Sequence, residues 1–488
     1  MKTLILSNVS SAAGRFNIAL AVTLLISACG GTDGAASSAN KTAALVATSA
    51  ATPAEAAANT NATATANAAI LLAQTPPSAK TLAVVTPLVA PAAAPTVAFS
   101  VGTEVVAYSR TAEDGSVREL PTKIYYPATA AGSGAPVAAG KFPLILFSHG
   151  KDGTYDTYPG PIGKLVAAGF IVAAPEYPHT KKGAVYIFND AWLGRQSQDA
   201  SQVITKVLAR SETTGDKFYG HIDAAPGVGA AGHSLGGFTT DGLLSLKRDP
   251  RITTAVRYAG ESIGKATGTP VKVLFQHGDA DDILSYSEAH GNYDAVPASW
   301  PKAFLTHLNG DHWRYLWPDG VTYAQTTNTS VDWFRWGLYN DWAAYSRLKA
   351  DATLDGKTKW ESANLINMQI EAESYVRMGG AVKIEECAEG GQNVTGIDSN
   401  DWMWFDVTVP VAGSYNVEYR VASAKAGGVL LLKKPNAEIY GSVNVPQTGG
   451  AQSWVSVSHK VTLVAGKQKI AVRAQTGGFN LNWFKITQ

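Results

Sequence analysis

The hexapeptide Gly232-His233-Ser234-Leu235-Gly236-Gly237 follows directly on the apolar run Val228-Gly229-Ala230-Ala231, and no other stretch constrains the fold as strongly. It reads as strand, sharp turn and helix, with a serine at the apex. Side chains at Gly232 and Gly236 would collide with the neighbouring strand and helix, so glycine stands at both. The next helix, expected over Gly237 to Lys247, starts within a residue or two of Ser234. Its first amides and its dipole then face any negative charge that develops beside the hydroxyl.

A lone G-x-S-x-G is weak, because a chain this long contains one by chance roughly one time in six. Its surroundings decide. A serine hydrolase of the α/β type needs an acid and then a histidine later in the chain, each just past a strand. Val271 to Phe275 reads as a buried strand that runs into Gln276-His277-Gly278-Asp279-Ala280-Asp281-Asp282-Ile283. Ala303 to Leu308 reads as another and ends in Asn309-Gly310-Asp311-His312-Trp313. Upstream, the near-continuous apolar run Phe142 to Phe147 has the character of a parallel strand and ends in Ser148-His149-Gly150-Lys151. In this fold one oxyanion N–H comes from the loop after the third strand and one from the residue after the nucleophile, which makes Lys151 and Leu235 the candidates. His307, His277, His179 and His149 compete with His312 as base. His312 lies just past a strand end, where a loop can carry it over Ser234, whereas His307 sits inside the strand pattern.

From about Val97 to Leu348 the chain resembles α/β-hydrolases of the group that includes dienelactone hydrolases, platelet-activating-factor acetylhydrolases and cutinase-like polyester hydrolases. The resemblance is carried by KIYYP (Lys123 to Pro127), PLILFSHG (Pro143 to Gly150), GFIVAAPEY (Gly169 to Tyr177), GHSLGG, HGDADDI, NGDH and SVDWFRWGL (Ser330 to Leu338). It implies a doubly wound, mostly parallel sheet, Ser234 as nucleophile, Asp281 as acid and His312 as general base, with no cofactor for catalysis. Asp282 and Glu261 are the alternative acids. The aspartate loop lacks the D-x-D-x-D-G spacing of a calcium loop. Trp313, Trp317, Tyr155, Tyr158 and Tyr286 are candidates for an apolar pocket wall, and Thr180 to Arg195 for a lid.

The N-terminus has a basic start and an apolar stretch from Ile18 to Ile26 that is too short to span a membrane, as in a signal sequence over residues 1–28. Ile26-Ser27-Ala28-Cys29-Gly30 resembles a bacterial lipobox, which implies lipidation of Cys29 and, with glycine rather than aspartate next, an outer-membrane or cell-surface location. Residues 29–96 are rich in Ala, Thr, Ser, Asn and Pro, and read as a flexible tether with an end-to-end distance of roughly 40–50 Å. Cys387, the second of two cysteines, then has no partner, so no disulfide framework is expected. The hydrolase domain is expected over 97–350, a linker over 351–367 and a further domain over 368–488. A net charge of +1 without a long basic run gives no reason to invoke nucleic acid.

In that last segment the pattern turns to short alternating strands with Gly-rich turns, as in an antiparallel β-sandwich. The segment resembles a family 6 carbohydrate-binding module, through IEAESY (Ile370 to Tyr375), EGGQNV (Glu389 to Val394), IDSNDWM (Ile397 to Met403), AGSYNVEYRVAS (Ala412 to Ser423) and FNLNWFKI (Phe479 to Ile486). Glu371 and Glu373 are expected on one face of the first strand, where the resemblance implies a structural calcium. Asn480 matches the family's sugar-binding asparagine. Gly396 and Ala451 stand where the family carries stacking aromatics, which weakens that cleft. Trp404 is the candidate for sugar contact on a different face, and Trp402 is expected in the core. The expectation is a surface-anchored, monomeric serine carboxylic-ester hydrolase acting on esters attached to plant or algal polysaccharide. A cutinase-like polyester or lipid-ester hydrolase is the alternative, and a non-catalytic carbohydrate-binding surface protein a remoter one.

Overall fold

The computed structural model describes residues 92–185, 190–435 and 437–488. The signal sequence, Cys29 and nearly all of the tether therefore lie outside the described residues. Among those described, no helix is long and apolar enough to cross a membrane.

The first domain opens with an antiparallel hairpin, β1 (Ser100–Thr111) and β2 (Val117–Ala128), and a short β3 (Gly132–Ser133). Strands then alternate with helices: β4 (Phe142–Ser148), α1 (Pro159–Ala167), β5 (Ile171–Pro175), α2 (Asp190–Arg210), β6 (Ile222–Asp223), β7 (Val228–His233), α3 (Leu235–Leu244), β8 (Ile252–Tyr258), β9 (Lys272–Gly278), α4 (Tyr286–Ala295), β10 (Lys302–His307), α5 (Tyr323–Tyr339) and α6 (Trp342–Ala352). The sheet order is β11-β10-β9-β8-β7-β4-β5-β2-β1-β3, where β11 is Thr358–Ala363. Strands β5, β4, β7, β8, β9 and β10 are parallel; β10–β11, β5–β2 and β2–β1 are antiparallel, and the short β3 runs parallel to β1.

Both faces of the parallel strands are covered, which is why they are apolar at every position rather than at alternate ones. In β4, Ile145 and Phe147 pack with Ile162 and Val166 of α1 and Trp333 and Phe334 of α5. Leu144 and Leu146 face the opposite side, with Val203 and Ile204 of α2 and Leu243 of α3. Asn340 ends α5 in the left-handed region (φ 57°), and Asp341 caps α6 by accepting from the amides of Ala343 and Ala344. Two adjacent residues thus turn one helix into the next.

The stretch expected to be a linker over 351–367 is instead partly ordered sheet, because β11 pairs antiparallel with β10 from Lys302↔Ala363 to His307↔Thr358. It closes the sheet edge that β10 would otherwise leave open.

The second domain is all-β. Its strands are β12 (Asn367–Glu371), β13 (Arg377–Gly379), β14 (Lys383–Glu386), β15 (Gln392–Ile397), β16 (Trp402–Val409), β17 (Gly413–Ser423), β18 (Gly428–Lys433), β19 (Ile439–Val445), β20 (Gly450–Leu463), β21 (Gly466–Thr476) and β22 (Phe479–Thr487). One sheet has the order β14-β15-β22-β17-β20 with β12 on β22, and the other β13-β16-β21-β18-β19. Their inner faces meet through residues such as Phe405 and Phe484, edge to face at 4.9 Å.

Strand alternation overturns the expectation for Trp402. In β16, Met403 and Phe405 are buried while Trp402 and Trp404 are half-buried on the outer face, with ring centres 4.8 Å apart and the Arg377 guanidinium over both. A one-residue step along a strand changes the face.

Candidate active site

Ser234 sits between β7 and α3 with φ 56° and ψ −122°, a conformation that is costly for a residue with a Cβ. The turn is over-determined by close backbone packing. A Cβ on Gly232 would stand 2.1 Å from the Gly236 carbonyl oxygen, and one on Gly236 would stand 2.0 Å from the Ser148 carbonyl oxygen. The helix begins at Leu235, two residues earlier than expected, so Ser234 is itself its N-cap. Gly236→Ala should consequently destabilise the domain by about 3 kcal/mol, read as a lowered urea midpoint, because main chain rather than a flexible side chain must give way.

Ser234, Leu235, Lys151 and His312 line one cavity of about 640 Å³, with Tyr158, Trp313, Trp317, Phe238, Ile283 and Leu284 supplying apolar wall. Ile283 and Trp313 are exposed at about half of their surface, on the rim. Tyr158 and Trp317 stack in the wall at 6.2 Å. Of the other expected wall residues, Tyr155 and Tyr286 lie elsewhere. Tyr155 packs on the core and its carbonyl accepts from Tyr125, while the Tyr286 hydroxyl meets that of Thr306 and its ring packs on Phe304. Of the segment expected to form a lid, residues 190–195 are the start of α2, and no described residue of 180–195 lines the cavity.

His312 Nδ1 lies 2.7 Å from Asp281 Oδ2. Since the carboxylate only accepts, this nitrogen carries the proton and Nε2 is left as the basic nitrogen. Asp281 Oδ1 accepts from the amides of Ile283 and Leu284, both at 2.9 Å. Burial pushes the Asp281 carboxyl upward, but hydrogen bonds from His277, His312 and the Leu284 amide outweigh it and hold the group well below the usual carboxylate range. Of the other acids considered, Asp282 is exposed. Glu261 accepts from the Ser285 amide at 3.3 Å, and burial and then Glu288 raise its pKa.

The competing histidines lie elsewhere or have other work, and His179 packs against Trp192. His149 receives the Tyr177 amide at Nε2 and gives its Nδ1 proton to the Gly150 carbonyl, and burial pushes its pKa down to about 4. His307 is buried in a stack on Tyr315 at 4.1 Å, its pKa down to about 3 through burial and then His277. His277 Nε2 lies 3.1 Å from Asp281 Oδ2 and 3.2 Å from the Leu284 carbonyl. Both are acceptors, so His277 donates and is a second clamp on the acid. His233 holds His312 from below, its Nε2 donating to the His312 carbonyl at 2.7 Å while Tyr158 donates to its Nδ1 at 2.8 Å. Neither support carries a sequence signal of its own: His233 is merely the variable residue of the motif, and His277 was visible only as a rival base.

In the sandwich, Asn480 of β22 and Trp404 of β16 lie in different sheets and do not share a site. The buried Asn480 amide donates to Glu385 Oε1 at 3.1 Å and to the Ala451 carbonyl at 2.8 Å. Glu385 also receives Gln452 and Asn393, which makes a closed polar cluster at the strand ends. Glu371 ends β12, but Glu373 lies in the 3₁₀ turn Ala372–Ser374 rather than on the strand, so the two do not share a strand face. Glu373 Oε2 is buried without a hydrogen-bond partner, whereas Glu371 receives Gln369 at 2.9 Å. Among the described residues no group of three or more His, Cys, Asp or Glu side chains is placed to hold a metal.

Fold and site together define a hydrolase-like domain on a mixed sheet, followed by an all-β sandwich module. Residues 103–216 match platelet-activating factor acetylhydrolase, isoform II, and residues 371–488 match the carbohydrate binding module of family 6. The clotting factor G alpha subunit of Tachypleus tridentatus is 36% identical over 139 residues, 28% of this chain and 20% of that protein. The arabinoxylan arabinofuranohydrolase of Bacillus subtilis (strain 168) is 30% identical over 147 residues, 28% of each. The chain thus spans under a third of the length of these relatives. Among solved structures, the C-terminal family 6 module of LamC, a marine laminarinase from Zobellia galactanivorans, is 39% identical; the match covers 25% of this chain and all of that one, with a TM-score of 0.25.

Proposed function

We propose that this chain is a serine carboxylic-ester hydrolase that acts on acetyl or feruloyl esters attached to plant or algal polysaccharide. The Asp281–His312 hydrogen bond, which orients a histidine that lines the same cavity as the strained Ser234, carries this reading. A serine hydroxyl is a poor nucleophile until a base takes its proton. In the proposed sequence His312 Nε2 accepts the Ser234 proton, and Oγ attacks the ester carbonyl. The main-chain N–H groups of Leu235 and Lys151 stabilise the oxyanion. His312 returns the proton to the leaving alcohol, and water attacks the acyl-enzyme by the same route in reverse.

The family 6 module and the arabinoxylan named in the Bacillus relative support a polysaccharide as the carrier of the ester. Linking an esterase to a polymer-binding module raises its effective substrate concentration without new catalytic contacts. In the module, the Asn480–Glu385 cluster and the Trp402–Trp404 face are the two candidate sugar contacts. Chromatography of the acids released from insoluble acetylated and feruloylated xylan tests the substrate. Acetate or ferulate is expected from the wild type and absent with Ser234→Ala. Cleavage of soluble short-chain esters alone would favour the second reading, a cutinase-like lipid-ester or polyester hydrolase, for which the exposed Ile283 and Trp313 on the cavity rim speak.

The orphan carboxylate oxygen of Glu373 fits a hard, oxygen-seeking cation, and we place a structural calcium there, with Glu371 and neighbouring carbonyl oxygens as the remaining donors. Calcium at a hundredfold excess over its Kd would stabilise the fold by about 2.7 kcal/mol. A melting temperature that rises with calcium, falls with chelator and loses both responses in Glu373→Gln is the expected outcome. Lipidation of Cys29 would hold the enzyme at the outer membrane or cell surface; Cys29→Ser should abolish partitioning of the expressed protein into the detergent phase.

A further inference from the structure

A second cavity, of about 680 Å³, lies where α5 and α6 meet the sandwich. Lys272, Trp336 and Trp342 line it from the hydrolase side, and Met368, Val409 and Pro410 from the sandwich side. It is remote from Ser234. Lys272 opens β9, and Ser234 follows the last residue of β7, in a parallel array. The two sites therefore lie at opposite ends of the strands, about 20 Å apart.

Its chemistry is lopsided. The walls are aromatic and aliphatic with a few neutral polar groups, and none of the described residues lining it is acidic. Lys272 is the one charge. Its ammonium lies 5.1 Å from the Trp336 ring centre, and among the described residues no carboxylate acts on it. Burial alone lowers the Lys272 pKa, with no counter-charge to restore it. A half-buried cation without a carboxylate partner is costly, and an aromatic wall beside it offers a flat surface to a ring.

We infer that this crevice binds a small aromatic monocarboxylate, with its carboxylate paired to Lys272 and its ring packed on the face formed by Trp342 and the sandwich residues. Both domains contribute wall, so the ligand bridges the junction. The binding is independent of chemistry at Ser234.

Calorimetric titration of the full chain with 4-hydroxycinnamate, and separately with its neutral amide, tests this. The acid is expected to bind wild type at least tenfold more tightly than the amide. Lys272→Met, which keeps an apolar stem of similar length, should bind the acid no better than wild type binds the amide. Its hydrolysis of a soluble ester should be unchanged. Equal affinity for acid and amide, or undiminished acid binding in a folded Lys272→Met, overturns the proposal, as does the absence of acid binding up to millimolar concentration. The comparison of acid with amide on the wild type stands even where the variant fails to fold.

Discussion

Ser234→Ala is expected to lower kcat for a soluble ester by on the order of 10⁴ to 10⁶, with circular dichroism unchanged. The loss is this large because, in the proposed mechanism, the hydroxyl is the atom to which the acyl group is transferred. A residual rate above background would measure what the oxyanion donors and the cavity walls do by themselves. The backbone makes a second expectation. At φ 56° and ψ −122° alanine is strained as serine is, so Ser234→Ala should melt close to wild type. Ser234→Gly, inactive to the same degree, should be more stable than both by about 1–3 kcal/mol. A Ser234→Ala enzyme of undiminished turnover would remove Ser234 from the mechanism. A Ser234→Gly variant no more stable than Ser234→Ala would mean that the turn holds no strain.

The loops of the candidate site were legible because each is announced by a local signal: an apolar run that must be a parallel strand, followed at once by polar residues that leave it. β4, β7, β9 and β10 all have this form, and they bring Lys151, Ser234, Asp281 and His312 to the C-terminal ends of the parallel strands. What the sequence concealed depends on partners far along the chain. β11 has no continuous apolar run, since Lys359 and Glu361 interrupt it, and it is a strand because β10 has an open edge to pair with. Tyr155 and Tyr286 are aromatic and near the site in sequence, yet each hydroxyl or carbonyl finds its bond away from the cavity. The face of Trp402 hung on a single step of register, which a Gly-rich β-domain specifies weakly until its strands are paired. His277 was hidden for a different reason: the same imidazole is a base or a clamp according to which atoms face its nitrogens.

Asp281→Asn is the sharper test of that clamp. Asp281 accepts four hydrogen bonds, two amides at Oδ1 and two histidines at Oδ2. An asparagine keeps its carbonyl toward the two amides and must then turn its NH₂ toward His312 and His277. Nδ1 of His312 becomes an acceptor, the proton moves to Nε2, and the nitrogen proposed to take the Ser234 proton has no lone pair to offer. The expected loss is about 10⁴ in kcat, with KM nearly unchanged because Asp281 does not line the cavity. The same substitution has a stability signature whose sign is fixed. The folded carboxyl is held below its unfolded value of about 3.9, so the ionised form stabilises the fold above about pH 4. That contribution disappears as the pH falls through the lower, folded value. Asp281→Asn should therefore unfold at lower urea than wild type at pH 7, with the gap closing as the solution is acidified below pH 4. A gap that stays constant with pH would assign the loss to packing. A large fall in kcat with KM intact, alongside a gap that closes in acid, would fix Asp281 as the ionised group that sets the tautomer of His312.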